Sequence, residues 1–124
     1  MVSKNRAERI SKRMQELLSE QLLLEITDPR LKGVYVTDVN VDQDLSDARI
    51  FVSALEGGER KDEILEGFTR AMGYIRGLLA KQLDLRVFPR LHFHWDSTPE
   101  KAERIERLIS DLHADGSSHG AKSG

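Results

Sequence analysis

The residues best suited to chemistry in this chain are five basic side chains between positions 68 and 92, where only one acid occurs. They are spaced along a helical pattern and the segment that leaves it: Arg70, Arg76, Lys81, Arg86 and Arg90. Basic side chains in such an arrangement bind phosphate oxygens and position a nucleic-acid backbone without reading its sequence. The segment therefore predicts a surface for nucleic acid.

A weak point in the helical pattern, Ala71-Met72-Gly73, lies among these basic residues. Because a glycine inside a helix costs about 1 kcal/mol relative to alanine, the pattern predicts a bend between two helices. Backbone amides at the start of the second helix, from Tyr74, would then favour a phosphate. The alternative is close helix packing, since Gly73 and Gly77 form a small-x-x-x-small pattern. Tyr74 likewise has two interpretations, which are stacking on a base and packing beside the core.

The first helix and the turn after it offer a second group of basic side chains. We expect phosphate contacts from these residues too: Arg6, Arg9, Lys12, Arg13, Arg30 and Lys32. The net charge of −2 is unevenly distributed, because residues 1–32 carry +2, 33–67 carry −6, 68–92 carry +4 and 93–115 carry −3. The positive segments are expected to form one face, while the acidic segments suppress indiscriminate binding to polyanions. The alternative is that these charges are ordinary solvated helix faces.

Other kinds of site find little support in the sequence. His92 and His94 share one face of a strand with Asp96, a spacing that zinc sites use, but no further ligand cluster accompanies them. The hairpin aspartates lack the glycine and glutamate of calcium-binding loops. Neither a nucleophile elbow nor a phosphate-binding loop occurs, and cysteine is absent. We therefore expect no enzyme activity, metal, cofactor or small-molecule substrate.

Hydrophobic periodicity predicts the elements that carry these residues. In chain order they are a helix over 5–24, strands over 34–41 and 48–55, a helix pair over 64–83 divided at 71–73, a strand over 91–95 and an amphipathic helix over 98–112. The first two strands are close enough to form an antiparallel hairpin. Three strands with helices on one face make an α+β fold of two layers.

The length of 124 residues fits one domain with a single core. Residues 1–112 are expected to form this domain, and the small and polar residues 113–124 to form a disordered tail. Nowhere do 18 apolar residues run together, so no membrane span is expected. We predict a cytoplasmic monomer.

The order and spacing of these residues resemble the bacterial ribosome-binding factor A family, from about Arg6 to about Leu112. The matching elements are Glu25–Leu31, Val39–Ala48 across the hairpin, Phe51–Ser53, Ala71–Arg76, Leu83–Arg86, and Pro89-Arg90-Leu91 with Phe93 and Asp96-Ser97. One such element would be weak evidence, whereas their shared order is specific.

The resemblance implies a type II KH-like fold in which an Ala-x-Gly kink between two helices replaces the usual Gly-x-x-Gly loop. Ala71-Met72-Gly73 matches this kink, and the sequence contains no Gly-x-x-Gly. It further implies binding to the small (30S) ribosomal subunit late in its assembly, help in forming the ends of 16S rRNA, a role in growth in the cold, and no catalysis. The alternative function is a protein-interaction module that uses the last helix and the acidic hairpin, with RNA binding incidental.

Overall fold

The computed structural model describes residues 4–24 and 26–121, and for residues 114–121 it describes the backbone alone. The chain forms helices and strands in the predicted order. Their bounds are α1 Lys4–Leu24, a short 3₁₀ helix Pro29–Leu31, β1 Val34–Val41, β2 Asp47–Ala54, α2 Lys61–Gln82, β3 Arg90–Trp95 and α3 Thr98–Ala121.

The three strands form one sheet in the order β1-β2-β3. β1 and β2 are antiparallel, and the hairpin is closed by the Asp42 amide, which donates to the Asp47 carbonyl at 3.0 Å. The predicted hairpin is therefore confirmed. β3 runs parallel to β2 because α2 carries the chain back across the sheet before β3 begins.

One face of this sheet is covered by α1 and α2, and the core lies between the two layers. Apolar side chains at alternate strand positions meet the buried stripes of both helices, among them Met14, Leu18, Ile50, Val52, Phe68, Ile75 and Leu79. Phe68 of α2 stacks on Phe93 of β3, with ring centroids 4.5 Å apart. This contact fixes the middle of α2 against the sheet, so the predicted apolar stripe of the helix is confirmed.

The described part of α2 differs from its prediction in one respect, because it is a single helix from Lys61 to Gln82. The predicted division into two helices at Ala71-Met72-Gly73 is wrong, while the predicted bend at this motif stays a prediction. No helix begins at Tyr74, and amides inside a helix already donate to the carbonyl four residues earlier. The buried residues on both sides of the motif hold the helix on the sheet, which offsets the cost of Gly73, about 1 kcal/mol.

The last helix begins at Thr98, as expected, and extends to Ala121. Residues 122–124 lie outside the described part. The disorder of residues 113–124 stays a prediction. The domain boundary at residue 112 stays a prediction. None of the helices in the described residues has the length and apolar character needed to cross a membrane.

Candidate nucleic-acid interface

The outer face of α2 brings together most of the basic residues predicted on this helix. Side chains three and four positions apart lie on one side of a helix. In the second half of α2 those on the side away from the core are all exposed: Thr69, Arg70, Gly73, Arg76, Gly77, Ala80 and Lys81. The exposed acids Asp62, Glu63 and Glu66 occupy the same side in the first half of the helix. Glycines and alanine run along the middle of this outer face, and cationic side chains border it. The middle of the face is therefore bare backbone between positive charges.

The glycines of the outer face have open space around them. A Cβ added at Gly73 or Gly77 would meet no atom within 4 Å beyond its local surroundings, so close helix packing is not the reason for either glycine. The closely packed glycine of α2 is Gly67, where a Cβ would lie 3.1 Å from Leu31 Cδ2. Sequence reasoning missed Gly67, although its position within the apolar stripe, next to buried Phe68, was the available signal.

Only one end of the Ala71-Met72-Gly73 motif reaches the outer face. Ala71 and Met72 are half-buried and pack against the core, whereas Gly73 is exposed. The next residue, Tyr74, is 56% exposed at the border of the same face. Its exposure favours contact with a partner over packing in the core.

Three cations on α2 or in the segment that follows it have no acid partner among the described side chains: Arg76, Lys81 and Arg86. The guanidinium of Arg76 lies over the ring of Phe88, 5.5 Å from the ring centroid, a cation–π contact that orients it without neutralising it. Arg70, in contrast, pairs with Glu66 one turn earlier at 2.5 Å. The charge of the three unpaired cations is available to a phosphate.

The side chain of Arg30 is paired with Asp28, in the same turn. Its Nη2 donates to Asp28 Oδ2 at 2.7 Å, while its Nε and backbone amide both donate to Asp28 Oδ1. The side-chain hydrogen bond from Arg30, followed by the backbone one, lowers the pKa of Asp28 to about 2. The Arg30 carbonyl also accepts from Arg60 Nη2 at 2.7 Å. Arg30 therefore holds the 3₁₀ helix against the start of α2, while the neighbouring Lys32 is exposed.

Arg90 is likewise paired, at the point where β3 begins. Arg90 Nε lies 3.0 Å and His92 Nε2 lies 2.7 Å from Asp47 Oδ1, which ties β3 to the start of β2. Hydrogen bonds from His92 first and Arg90 second lower the pKa of Asp47 to about 2. His94 stacks on Phe51 with centroids 5.4 Å apart. Among the described residues, no group of histidine, aspartate and glutamate could hold a metal ion.

The basic residues of α1 face a different part of the molecule. Arg9 and Lys12 line a groove between α1 and the last half of β1, whose walls also carry Glu8, Asp38 and Asp42. Two side chains fasten α1 along this edge, since Ser11 Oγ accepts from the Val41 amide at 3.0 Å and Gln15 Nε2 donates to the Thr37 carbonyl at 3.4 Å. In the same helix Arg6 is exposed, and Arg13 pairs with Glu16 at 3.5 Å. The predicted residues thus fall into separate groups, and the group on the outer face of α2 combines bare backbone with cations that have no acid partner among the described side chains.

The order of elements and the parallel pairing of β2 with β3 define the class of this protein. It is a KH-like α+β domain of type II, with helices on one face of a three-stranded sheet. A family model described as ribosome-binding factor A matches residues 6–109. The chain belongs to the ribosome-binding factor A family.

Curated relatives named ribosome-binding factor A support this membership. The relative from Aromatoleum aromaticum is 36% identical over 111 residues, which cover 90% of this chain and 87% of the relative. The relative from Alcanivorax borkumensis is 38% identical over 112 residues, which cover 90% of this chain and 82% of the relative. The relative from Staphylococcus carnosus is 34% identical over 112 residues, covering 90% and 97%.

Solved structures agree with the fold. The solution structure of a Thermotoga maritima protein has a TM-score of 0.65 at 33% identity, covering 76% of this chain and 90% of that one. The crystal structure of ribosome-binding factor A from Thermus thermophilus has a TM-score of 0.65 at 25% identity, covering 72% of this chain and 93% of that one. A homology model of the Thermus thermophilus factor, fitted into a cryo-EM map of its complex with the 30S subunit, has a TM-score of 0.61 at 28% identity, covering 75% and 98%.

Proposed function

We propose that this protein is a non-enzymatic assembly factor that binds the small (30S) ribosomal subunit. In this role it assists late maturation and processing of 16S rRNA, and it supports growth in the cold. Membership of the ribosome-binding factor A family supports the proposal, as does the 30S complex of the Thermus thermophilus factor. The observation that carries it is the outer face of α2, where bare backbone lies between unpaired cations.

The shape of this face suits the backbone of a folded RNA. Without side chains at Gly73 and Gly77, a sugar-phosphate backbone can approach the helix closely, while Arg76, Lys81 and Arg86 reach its phosphates. KH domains likewise clamp a nucleic-acid backbone at a loop that contains glycines. Because such contacts position a protein but carry no sequence information, recognition would depend on the shape of the rRNA.

Charge reversal on the outer face tests the proposal. We expect Arg76→Glu with Arg86→Glu to weaken binding to purified small subunits by roughly a hundredfold, because two phosphate contacts become repulsive. The matched control is Lys61→Glu with Arg107→Glu, which changes the net charge equally at exposed positions off this face. Affinity should be measured by cosedimentation with free small subunits at low salt. Equal affinity of the two double variants would contradict the proposal.

The same pair of variants decides between this function and a protein-interaction module with incidental RNA binding. Under that alternative, subunit binding would survive reversal of Arg76 and Arg86. The exposed apolar side of α3 is the observation that favours a protein contact. A cytoplasmic location and a monomeric state stay predictions.

A further inference from the structure

The described part of α3 carries an apolar stripe that none of the other described residues covers. The stripe consists of residues at helical spacing: Ala102, Ile105, Leu108, Ile109 and Leu112. The four large side chains are between 48% and 70% exposed, and every side chain from 101 to 113 is exposed. Contiguous exposed apolar surface of this kind marks an interaction site.

The base of α3 is held firmly, so the helix leaves the domain in a defined direction. Asp96 accepts a hydrogen bond from Thr37 Oγ1 at 2.7 Å and another from the Thr98 amide at 2.9 Å. Trp95 Nε1 donates to Glu100 Oε1 at 2.9 Å. Two of these hydrogen bonds join the first turn of α3 to the end of the sheet, and the third, from Thr37, holds Asp96 against β1. Beyond them the helix projects into solvent as an arm.

Both borders of the apolar stripe carry an acid. By helical spacing, Arg104 and Asp111 fall along one border and Glu106 along the other, with Lys101 at the start of the stripe; none of the four has an ion-pair partner among the described side chains. RNA presents phosphates on every side, so Glu106 and Asp111 would repel it and the apolar side chains would stay uncovered. A protein groove with an apolar floor and charged groups of both signs on its rims complements all of these parts.

A second copy of this chain does not supply enough surface. If two stripes paired with each other, each would contribute a few side chains, roughly 400 Å² per copy and about 800 Å² in total, the range of crystal-packing contacts. Stable specific interfaces bury about 1,200 Å² or more. A groove that surrounds the helix buries its borders as well as its stripe.

We propose that α3 docks in an apolar groove on a protein of the small ribosomal subunit, separately from the RNA surface on α2. Acidic groups of the groove face Lys101 and Arg104, and basic groups face Glu106 and Asp111. The choice of particle rests on the proposed function. The factor then binds through two surfaces, and each raises the effective concentration of the other at its site.

Adjacent substitutions on and off the stripe test this docking. Ile109→Asp places a carboxylate on the stripe, whereas Ser110→Asp places the same group on the exposed polar side of the same turn. We expect Ile109→Asp to weaken binding to purified small subunits by roughly tenfold or more, because a buried unpaired carboxylate is costly. Ser110→Asp should bind like wild type, and both variants should bind protein-free 16S rRNA transcript as wild type does.

Stability and crosslinking identify what covers the stripe. Thermal unfolding of Ile109→Asp should match that of wild type, and a photoreactive residue at position 108 should crosslink to a small-subunit protein. Crosslinking to rRNA, to the factor's own domain or to a second copy overturns the proposal, as does the lack of any protein crosslink. If Ile109→Asp binds subunits as tightly as wild type does, the docking of α3 is contradicted and the proposed function is not. If wild type itself does not bind subunits, the proposed function is contradicted as well.

Discussion

At the scale of single residues, the glycines of the outer face of α2 separate stability from function. Gly73 and Gly77 lie inside a helix with open space where a side chain would be, so replacing either by alanine relieves a helix penalty. We expect Gly73→Ala and Gly77→Ala each to raise the free energy of unfolding by about 0.8–1 kcal/mol. Both should weaken binding to small subunits, because the added methyl group blocks close approach. Urea unfolding and cosedimentation measure the two effects.

Gly67 provides the matched control for these substitutions. It lies in the same helix, but an alanine there would press on the buried Leu31 side chain, 3.1 Å away. Gly67→Ala should therefore lack the gain in stability seen at the exposed positions. If Gly73→Ala and Gly77→Ala stabilise the fold and bind subunits with unchanged affinity, the bare face has no role in recognition.

At the scale of elements, two aspartates hold the start of an element in place. Asp28 holds the 3₁₀ helix through Arg30, and Asp47 holds the start of β3 through His92 and Arg90. Both carboxyl groups have a folded pKa of about 2, against an ordinary value of 3.8. A carboxyl group with a lowered pKa stabilises the folded state at any pH above its pKa in the unfolded state. This stabilisation is lost as the pH falls and the carboxylate is protonated.

The resulting prediction concerns acid unfolding. Stability should fall as the pH drops from about 4 to about 2, and Asp47→Asn should flatten this fall because the titrating group is gone. His92→Gln should flatten it as well, since the hydrogen bond from His92 is the largest cause of the lowered pKa. Thermal unfolding midpoints between pH 7 and pH 2 provide the measurement. If the unfolding midpoints of both variants fall with pH as steeply as that of wild type, Asp47 does not have this role.

The elements also show what the sequence could and could not predict. The apolar spacing of residues such as Phe68 and Ile75 correctly located α2 and its buried face, because periodicity reports directly on burial. The same sequence suggested a break at Ala71-Met72-Gly73, because local helix propensity is weak there. Tertiary packing on both sides of the motif decided otherwise. The parallel pairing of β3 also needed the structure, since periodicity carries no information on strand direction.

At the scale of the whole molecule, the distribution of charge along the chain located the candidate surface but not the arginines that are free to bind a phosphate. Arg30, Arg76, Arg86 and Arg90 were equivalent in sequence, yet Arg30 and Arg90 are paired with aspartates while the other two are not. Ion pairing depends on which side chains the fold brings within a few ångströms, and sequence separation does not reveal this. Arg90 and Asp47, 43 positions apart, meet only because β2 and β3 are neighbours.

This difference predicts which arginines contribute to the salt dependence of binding. Affinity for small subunits should fall with salt, and each neutralised phosphate adds roughly 0.7 to 0.9 to the slope of log affinity against log salt. Arg86→Ala should reduce the slope by about one such step and leave stability unchanged, because the exposed Arg86 pairs with no acid among the described residues. Arg30→Ala should leave the slope nearly unchanged and lower stability, because Asp28 loses its partner. Equal changes in slope for both variants would show that pairing within the fold does not decide which charges meet the rRNA.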